Sequence, residues 1–228
     1  MSAPLYLCRA RLRRDASIAA LASLLVPAND DARLSAGHRL IWALFADGPD
    51  RRRDFLWREN GPGSFMTLSV RKPSDPHGLF DLEEPKVFAP ALAPADRLGF
   101  RLRANATVAR PDGKARGKRA DVVMNAIHAL SEHERAEARR GAIVTAGRAW
   151  LHAQGGRHGF HIDDDVVVDG YDQRRVPRDS QRAVEFSSLD FEGRMTVRDP
   201  ALFLNQLARG FGRAKAFGCG LMLIRRVR

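Results

Sequence analysis

The sequence predicts an α+β fold made of two tandem ferredoxin-like (RRM-like) domains, and three observations lead to this prediction. The chain has 228 residues, enough for two domains of about 110 residues each. Its apolar periodicity gives the order strand, helix, strand, strand, helix, strand twice, which is the order of a ferredoxin-like unit. A Pro- and Ala-rich stretch at residues 89–94 predicts a linker. We therefore expect one domain over residues 1–90 and a second over residues 96–228.

The first half begins with a strand at residues 4–13, because apolar residues alternate there with basic ones. A helix is predicted next, since apolar residues recur at helical spacing until Gly48-Pro49 ends the pattern. These apolar residues are Leu34, Ile41, Leu44 and Phe45. Further strands are predicted at residues 54–58, 65–70 and 82–88. Prolines between the last two strands predict that the second helix of this domain is lost.

The second half opens with a long alternating strand at residues 97–108, followed by a basic loop at residues 110–119. A helical pattern in two pieces then runs from Asp121 to about His152. Asp199-Pro200 predicts a helix start, with Asp as the N-cap and Pro in the first turn. The remaining strands are predicted at residues 160–168, 185–197 and 219–226.

The charge of the chain points to a polyanionic partner. Lys and Arg total 38 against 27 Asp and Glu, a net charge of +11, and 33 of the 38 are Arg. Arg makes forked contacts to phosphate that Lys cannot make, although a GC-rich genome explains an Arg bias equally well. Residues 1–95 carry 13 basic and 11 acidic side chains, and residues 96–228 carry 25 and 16. We therefore expect the polyanion site mainly in the second half.

Cysteine content and hydropathy indicate a cytoplasmic protein. Cys8 and Cys219 are far apart and match no metal-ligand spacing, so neither a zinc site nor a disulfide scaffold is expected. No apolar run approaches the ~18 residues that span a membrane, and residues 1–14 lack the pattern of a targeting segment. We expect no cofactor, no bound metal and no membrane contact.

Two segments are candidates for phosphate contact. The glycine-rich stretch at residues 210–220 carries Arg213 and Lys215, and its backbone amides could approach a phosphate closely; a tight structural turn is the alternative. It is neither a Walker loop nor a dinucleotide fingerprint. The second segment has several arginines close together in a predicted hairpin tip or loop, which could bind the phosphates or a groove of a nucleic acid. A solvated loop is the alternative. The arginines of this segment are Arg174, Arg175, Arg178 and Arg182.

His38 is the best candidate for a general acid or base. At helical spacing it lies at the edge of the apolar stripe, where a side chain can be partly buried and still accessible. Arg39 next to it, with the basic strand that ends near Arg14, could hold a phosphate. A lone helical histidine is more often structural, so both interpretations stay open. The other histidines lack a third ligand at metal-site spacing, and the sequence contains no Gly-x-Ser-x-Gly or His-Glu-x-x-His motif.

Several motifs taken together resemble the CRISPR repeat-processing endoribonucleases of the CasE family. The motifs follow one another in order along essentially the whole chain, and the glycine-rich loop is the most specific. They are Gly37-His-Arg-Leu-Ile-Trp42-Ala-Leu-Phe45, Arg53-Asp-Phe-Leu-Trp57, Arg101-Leu-Arg-Ala-Asn105, Phe191-Glu-Gly193 and the loop Gly210-Phe-Gly-Arg-Ala-Lys-Ala-Phe-Gly-Cys-Gly220.

This resemblance implies a tandem ferredoxin-like fold and a catalytic histidine at His38. It also implies a partner, the hairpin of the CRISPR precursor RNA, which is cut once at its base without metal. Members then typically stay on the product as a subunit of the type I-E Cascade complex. Relatives place a tyrosine three positions before the histidine, and some place a lysine five positions after it. Here Ser35 and Ala43 occupy those positions, so the helper roles either pass to Arg or Lys residues elsewhere or are dispensable.

The resulting prediction is a metal-independent endoribonuclease that leaves a 2′,3′-cyclic phosphate and a 5′-hydroxyl. The hairpin arginines are expected to grip the RNA stem, and Arg213 and Lys215 to contact the strand near the cut. Lys118 and Arg119, expected to begin a helix after the basic loop, are further candidates for RNA contact. The alternatives are a non-catalytic RNA-binding subunit in which His38 is structural, and a metabolic enzyme whose glycine loop binds a nucleotide.

Overall fold

The structure is a computed structural model that describes residues 4–45, 48, 53–110, 118–128, 130–178 and 181–227. Within these ranges the side chains of residues 16, 17, 118, 178, 181 and 182 are not described. The chain folds into two compact units. Unit 1 comprises residues 1–91, 174–185 and 214–221, and unit 2 comprises residues 92–173, 186–213 and 222–228. Among the described helices, none is long and apolar enough to cross a membrane.

The first sheet has the strand order of a ferredoxin-like unit. Its elements are β1 (Tyr6–Leu12), α1 (Ala16–Ala19), α2 (Ala22–Leu25), α3 (Asp30–Ala43), β2 (Phe55–Gly61), β3 (Ser64–Ser69), β4 (Phe80–Leu82) and β5 (Lys86–Val87). The four main strands lie in the order β2-β3-β1-β4 with β1 in the middle, and β5 also pairs with β1. Every pairing is antiparallel.

The core of unit 1 lies between α3 and one face of this sheet. Leu40, Ile41 and Phe45 pack there against Phe55 and Trp57, and all five are at least 94% buried. The start of α3 is capped by the Asn29 side chain, which accepts a hydrogen bond from Ala32 N at 2.9 Å. Just beyond the end of the helix, Arg71 donates to the Phe45 carbonyl. No helix forms between β3 and β4, in a stretch that contains Pro73 and Pro76. The predicted loss of the second helix is confirmed.

The second sheet repeats the same order. The elements that follow β5 along the chain are β6 (Arg97–Ala104), β7 (Thr107–Arg110), β8 (Lys118–Asp121), α4 (Val122–Ala126), α5 (Glu132–His158), β9 (Phe160–Ile162), β10 (Val167–Arg178), β11 (Gln181–Val197), α6 (Pro200–Arg209), a 3-10 turn (Lys215–Phe217) and β12 (Met222–Arg226). The strands of the second sheet lie in the order β10-β11-β6-β12, and β9 pairs with β11. The prediction of two tandem ferredoxin-like folds is therefore confirmed.

Alternation along β6 separates the two faces of the second sheet. Leu98, Phe100 and Leu102 are at least 97% buried, whereas the intervening Arg101 and Arg103 are ion-paired to carboxylates on β11. Asp199 caps α6 by accepting a hydrogen bond from Leu202 N at 3.0 Å, as the Asp-Pro pair predicts.

Lys118 and Arg119 do not begin a helix, so that part of the prediction was wrong. They lie in β8, which pairs with β7 in a separate two-stranded ribbon. The helix begins one turn later because the Asp121 side chain accepts a hydrogen bond from Met124 N at 2.7 Å and so marks the N-cap of α4. The pairing with β7 extends the backbone before that cap.

Candidate functional site

His38 lies on α3, half-buried at the edge of the helix face that packs on the first sheet. Gly37 before it allows the helix to approach the sheet closely, since a Cβ at this position would lie 3.0 Å from the Trp57 ring. Trp57 itself is 1% exposed. His38 thus lies at the edge of the apolar stripe, where the sequence predicts it.

The backbone carbonyl of Ala216 contacts His38 directly. The Nδ1 atom of His38 lies 2.8 Å from the Ala216 oxygen, and the Trp57 indole Nε1–H donates to the same oxygen at 3.2 Å. Because a carbonyl oxygen only accepts hydrogen bonds, Nδ1 carries the proton. In the neutral ring the lone pair is therefore on Nε2, the form that a general base needs.

The glycine-rich loop is shaped to bring this carbonyl to the histidine. Ala214 and Gly218, on either side of the 3-10 turn, have left-handed φ angles of 49° and 76°. Gly218 also lies against the indole of Trp57, where a Cβ would come within 3.2 Å of the ring. Phe217 packs beside the imidazole, with ring centroids 5.6 Å apart. The loop is thus a tight structural turn that holds one wall of the histidine site.

An open cavity of about 740 Å³ adjoins His38. Arg39 is exposed at its edge and donates a hydrogen bond to the Ser35 hydroxyl at 3.0 Å. The hydroxyl of Ser35 therefore orients a cation within this cavity. The lining residues are Ser23, Leu24, Pro27, Ala32, Ser35, His38, Arg39, Val176, Pro177, Ala216 and Phe217.

The tip of the β10–β11 hairpin belongs to unit 1 and is attached to the first turn of α3. Arg174 is ion-paired to Asp30 at 2.9 Å and its side chain is only 17% exposed. The hydrogen bond from Arg174, with the charges of Arg174 and Arg33, holds the pKa of Asp30 below its usual value. Val176, two residues on, is 1% exposed. Arg174 thus fastens the hairpin to the helix that carries His38.

Arg175, unlike Arg174, has an exposed side chain. Its side chain is 76% exposed and lies 3.7 Å from Glu185, while its backbone N–H donates to Asp31 at 3.3 Å. Of the two hairpin arginines whose side chains are described, Arg175 is thus the one displayed to solvent. The side chains of Arg178 and Arg182 lie outside the described residues.

Arg213 and Asn105 bring two of the sequence motifs together within unit 2. The Arg213 N–H donates to the Asn105 carbonyl at 3.1 Å, and Arg213 is exposed. Asn105 is 6% exposed and its amide donates to the Ser187 carbonyl at 2.7 Å. Gly212 is required there, since a Cβ would lie 2.6 Å from the Asn105 oxygen. This contact accounts for the joint occurrence of the two motifs.

The remaining candidates are divided between the two units. Lys215 is partly buried in the 3-10 turn of unit 1, next in sequence to the carbonyl that contacts His38. Arg119 is exposed on β8 in unit 2, and the side chain of Lys118 lies outside the described residues. The sequence analysis did not identify Trp57 or the Ala216 carbonyl as parts of the site. Gly37, placed directly before His38, was the available signal that a large side chain lies close by.

The chain thus combines two ferredoxin-like folds with a histidine beside an open cavity. A sequence profile of the family described as "CRISPR associated protein" matches residues 5–226, so the chain belongs to this family. Its sequence is similar to CRISPR-associated endoribonuclease Cse3 from Thermus thermophilus, with 30% identity over 159 residues. That match spans 64% of this chain and 64% of the length of the relative.

Solved structures extend the similarity to nearly the whole chain. Cse3 bound to a 19 nt RNA is 25% identical, with a TM-score of 0.67 over 97% of this chain and 99% of that chain. Thermus thermophilus Cse3 bound to an RNA representing a pre-cleavage complex is also 25% identical, with a TM-score of 0.65 and the same coverage. Cas6e from Escherichia coli str. K-12, at 22% identity and TM-score 0.60, shares the fold over 97% of this chain and all of that one. The resemblance seen in the sequence is thereby confirmed.

Proposed function

We propose that this protein is an endoribonuclease that binds the hairpin of CRISPR repeat transcripts and cuts the RNA once at the base of the hairpin. The observation that carries the proposal is the hydrogen bond that gives His38 an acceptor Nε2 beside an open cavity edged by Arg39. Membership of the CRISPR-associated family supports it, as does the similarity to Cse3, a protein named as an endoribonuclease and solved with bound RNA.

The proposed reaction uses a nucleophile that the RNA itself supplies. The ribose 2′-oxygen attacks the adjacent phosphorus as its proton leaves, and the bond from phosphorus to the 5′-oxygen breaks. The products are a 2′,3′-cyclic phosphate and a 5′-hydroxyl. His38 takes the 2′-proton or gives a proton to the leaving oxygen, steps that positioned general acids and bases accelerate by about 10²- to 10⁴-fold. No metal ion enters this sequence of steps.

Arg39 and Lys215 are proposed to stabilise the negative charge of the phosphorane. Arg39 carries a guanidinium at the edge of the cavity, held by Ser35. Lys215 directly precedes Ala216 and supplies a second cation on the same loop. Preorganised cations of this kind lower the barrier because they need no rearrangement as charge develops. They would take the roles that relatives assign to the residues at positions 35 and 43.

Binding of the stem is proposed to rest on phosphate contacts, since the deep major groove of A-form RNA hides its bases. The exposed guanidinium of Arg175 is the foremost candidate, together with Arg178 and Arg182 further along the hairpin. Arg174 would reach RNA only by exchanging Asp30 for a phosphate, so its main role is to dock the hairpin. Arg213, Arg119 and Lys118 are proposed to add contacts from unit 2.

We also propose that the protein remains on its product as a subunit of a Cascade-type complex. The similarity to proteins that process CRISPR RNA supports this, and an enzyme that keeps its product needs no rapid turnover. An RNA grip based on many phosphate contacts would favour a long-lived product complex.

A repeat hairpin with a single 2′-deoxy nucleotide at the cut site tests the function and its chemistry together. With excess protein and EDTA present, the all-RNA hairpin should be cut once, and the 2′-deoxy hairpin should bind equally well but stay intact. A strict magnesium requirement, or cleavage of the 2′-deoxy hairpin, would refute the 2′-hydroxyl mechanism. An intact all-RNA hairpin that binds tightly would instead favour the non-catalytic RNA-binding subunit.

A further inference from the structure

We propose that Trp57 is a positioning residue that, through the Ala216 carbonyl, holds His38 in the Nδ1–H tautomer and so makes Nε2 the base for the 2′-hydroxyl proton. The inference deepens the proposed function and rests on it for the identity of the proton donor. It assigns a role to a buried tryptophan that lies behind the histidine, and it identifies Nε2 as the nitrogen that faces the reaction.

The geometry that carries the inference is a single oxygen shared by two donors. The Ala216 oxygen accepts from His38 at 2.8 Å and from Trp57 at 3.2 Å. The shorter bond fixes the tautomer of the imidazole, and the longer one holds the oxygen from a second direction. The N–H of the same peptide plane, on Phe217, donates to the Ala214 carbonyl at 2.9 Å, so the indole adds to a turn that is already hydrogen-bonded.

Trp57 is well suited to this task because its ring is closely packed. The residue is 1% exposed, and glycines approach the ring from two elements. A Cβ on Gly37 would lie 3.0 Å from the ring, and a Cβ on Gly218 would lie 3.2 Å from it. The indole is thus packed between the helix that carries His38 and the loop that carries Ala216. One side chain sets the spacing between the imidazole and its acceptor.

The tautomer decides which ring nitrogen takes part in proton transfer. With Nδ1–H committed to Ala216, only Nε2 of the neutral ring can accept the 2′-proton, which leaves an imidazolium with protons on both nitrogens. The carbonyl then stabilises this cation, since it accepts from Nδ1–H before and after the transfer. The leaving 5′-oxygen can later take the proton back from Nε2.

The test compares two tryptophan substitutions. Trp57→Phe removes the indole N–H and keeps an aromatic ring. Trp42→Phe is the matched control: this ring lies 6.2 Å from the imidazole of His38, and within the described part of the chain it makes no hydrogen bond to Ala216. Incorporation of benzothienylalanine at position 57 replaces N–H with sulfur at nearly constant shape, which covers the case in which Trp57→Phe fails to fold.

The first measurement is the ¹⁵N chemical shift pattern of the His38 imidazole in the free protein, assigned by its loss in His38→Gln. The wild type and Trp42→Phe should show Nδ1–H, the tautomer that imidazole side chains in water do not prefer. Substitution at position 57 should move the pattern toward Nε2–H. Because no RNA is present, this result stands even if the protein does not cut repeat hairpins.

The second measurement is the single-turnover cleavage rate at saturating hairpin as a function of pH. Substitution at position 57 should lower the rate by roughly 10- to 100-fold, as small misplacements of a catalytic group do, with hairpin affinity changed less than about twofold. Trp42→Phe should stay within about twofold of wild type. A wild-type ring in the Nε2–H tautomer would overturn the inference. So would an unchanged rate, or equal losses of rate and affinity with an unchanged tautomer.

Discussion

His38 owes its chemistry to neighbours that are distant in sequence. Its acceptor is Ala216, 178 positions away along the chain, and the indole that anchors this acceptor is Trp57. Arg39 is held by Ser35, whose hydroxyl accepts its hydrogen bond at 3.0 Å. A small hydroxyl one turn before the histidine's neighbour thus orients a guanidinium at the edge of the cavity.

Sequence reasoning could place His38 because helical periodicity is local, so the edge of an apolar stripe can be located from a few residues. It could not find the Ala216 carbonyl, because a backbone oxygen leaves no trace in residue type. The glycines of the loop predict unusual backbone conformations, but these are equally consistent with phosphate binding and with a tight structural turn. The contact of Gly218 with Trp57 shows that the loop is at least a structural turn.

Tyr171 gives a residue-level prediction about pH. Burial and the adjacent Asp121 carboxylate raise its pKa to about 12, and its hydroxyl donates to Asp121 at 3.0 Å. A pKa that is higher in the folded state contributes stability in full below the unfolded value of about 10, and loses it as pH rises toward the folded value. The free energy of unfolding should therefore fall between about pH 10 and 12.

Chemical denaturation of wild type and Tyr171→Phe across this pH range measures the effect. The difference in unfolding free energy between the two proteins should shrink as pH rises, because only the wild type loses the tyrosine contribution. A difference that stays constant from about pH 9 to 12 would contradict the assignment. Lysine titration is common to both proteins and cancels in the comparison.

At the scale of elements, most helices and strands could be predicted, and the exceptions have two causes. The strand predicted at residues 185–197 is instead β11, which begins at Gln181, and β10 extends to Arg178. The arginine-rich tip therefore lies on paired strands. The run of arginines predicts a solvated segment, but tertiary contacts determine its structure. Val176 is buried, and Arg174 is ion-paired to α3. The short α1 and α2 have too few residues for any helical period to show.

The β10–β11 hairpin carries a prediction about RNA binding. Arg175→Ala should weaken binding of the repeat hairpin and reduce the slope of log affinity against log salt by about 1, the loss expected for one phosphate contact. Arg194→Ala is the matched control, since that arginine is ion-paired to Asp165 on unit 2 and has no proposed RNA contact. Equilibrium binding at several salt concentrations measures both slopes.

An unchanged slope for Arg175→Ala would place the RNA on another surface. An equal change of slope in both variants would show that net charge alone, and not a contact between Arg175 and a phosphate, determines the salt dependence. Because the described ion pair of Arg175 with Glu185 is long and exposed, its removal should cost little stability.

At the scale of the whole molecule, the fold redistributes the charge that the sequence seemed to concentrate in one half. The segments 174–185 and 214–221 belong to unit 1, and they bring five basic and two acidic side chains to it. Unit 1 then carries 18 basic and 13 acidic residues, and unit 2 carries 20 and 14. The excess of +11 is shared almost evenly between the units. The order of elements along a chain cannot reveal such exchanges, because they depend on contacts between residues far apart in sequence.

We propose that the catalytic activity of this protein depends on one histidine, His38. Single-turnover cleavage of a labelled repeat hairpin by wild type and His38→Ala, with hairpin affinity measured on the same preparations, tests this. We expect at least about a 100-fold loss of rate, the scale of a missing general acid or base, with affinity changed less than about threefold. Cleavage by His38→Ala at the wild-type rate would contradict it.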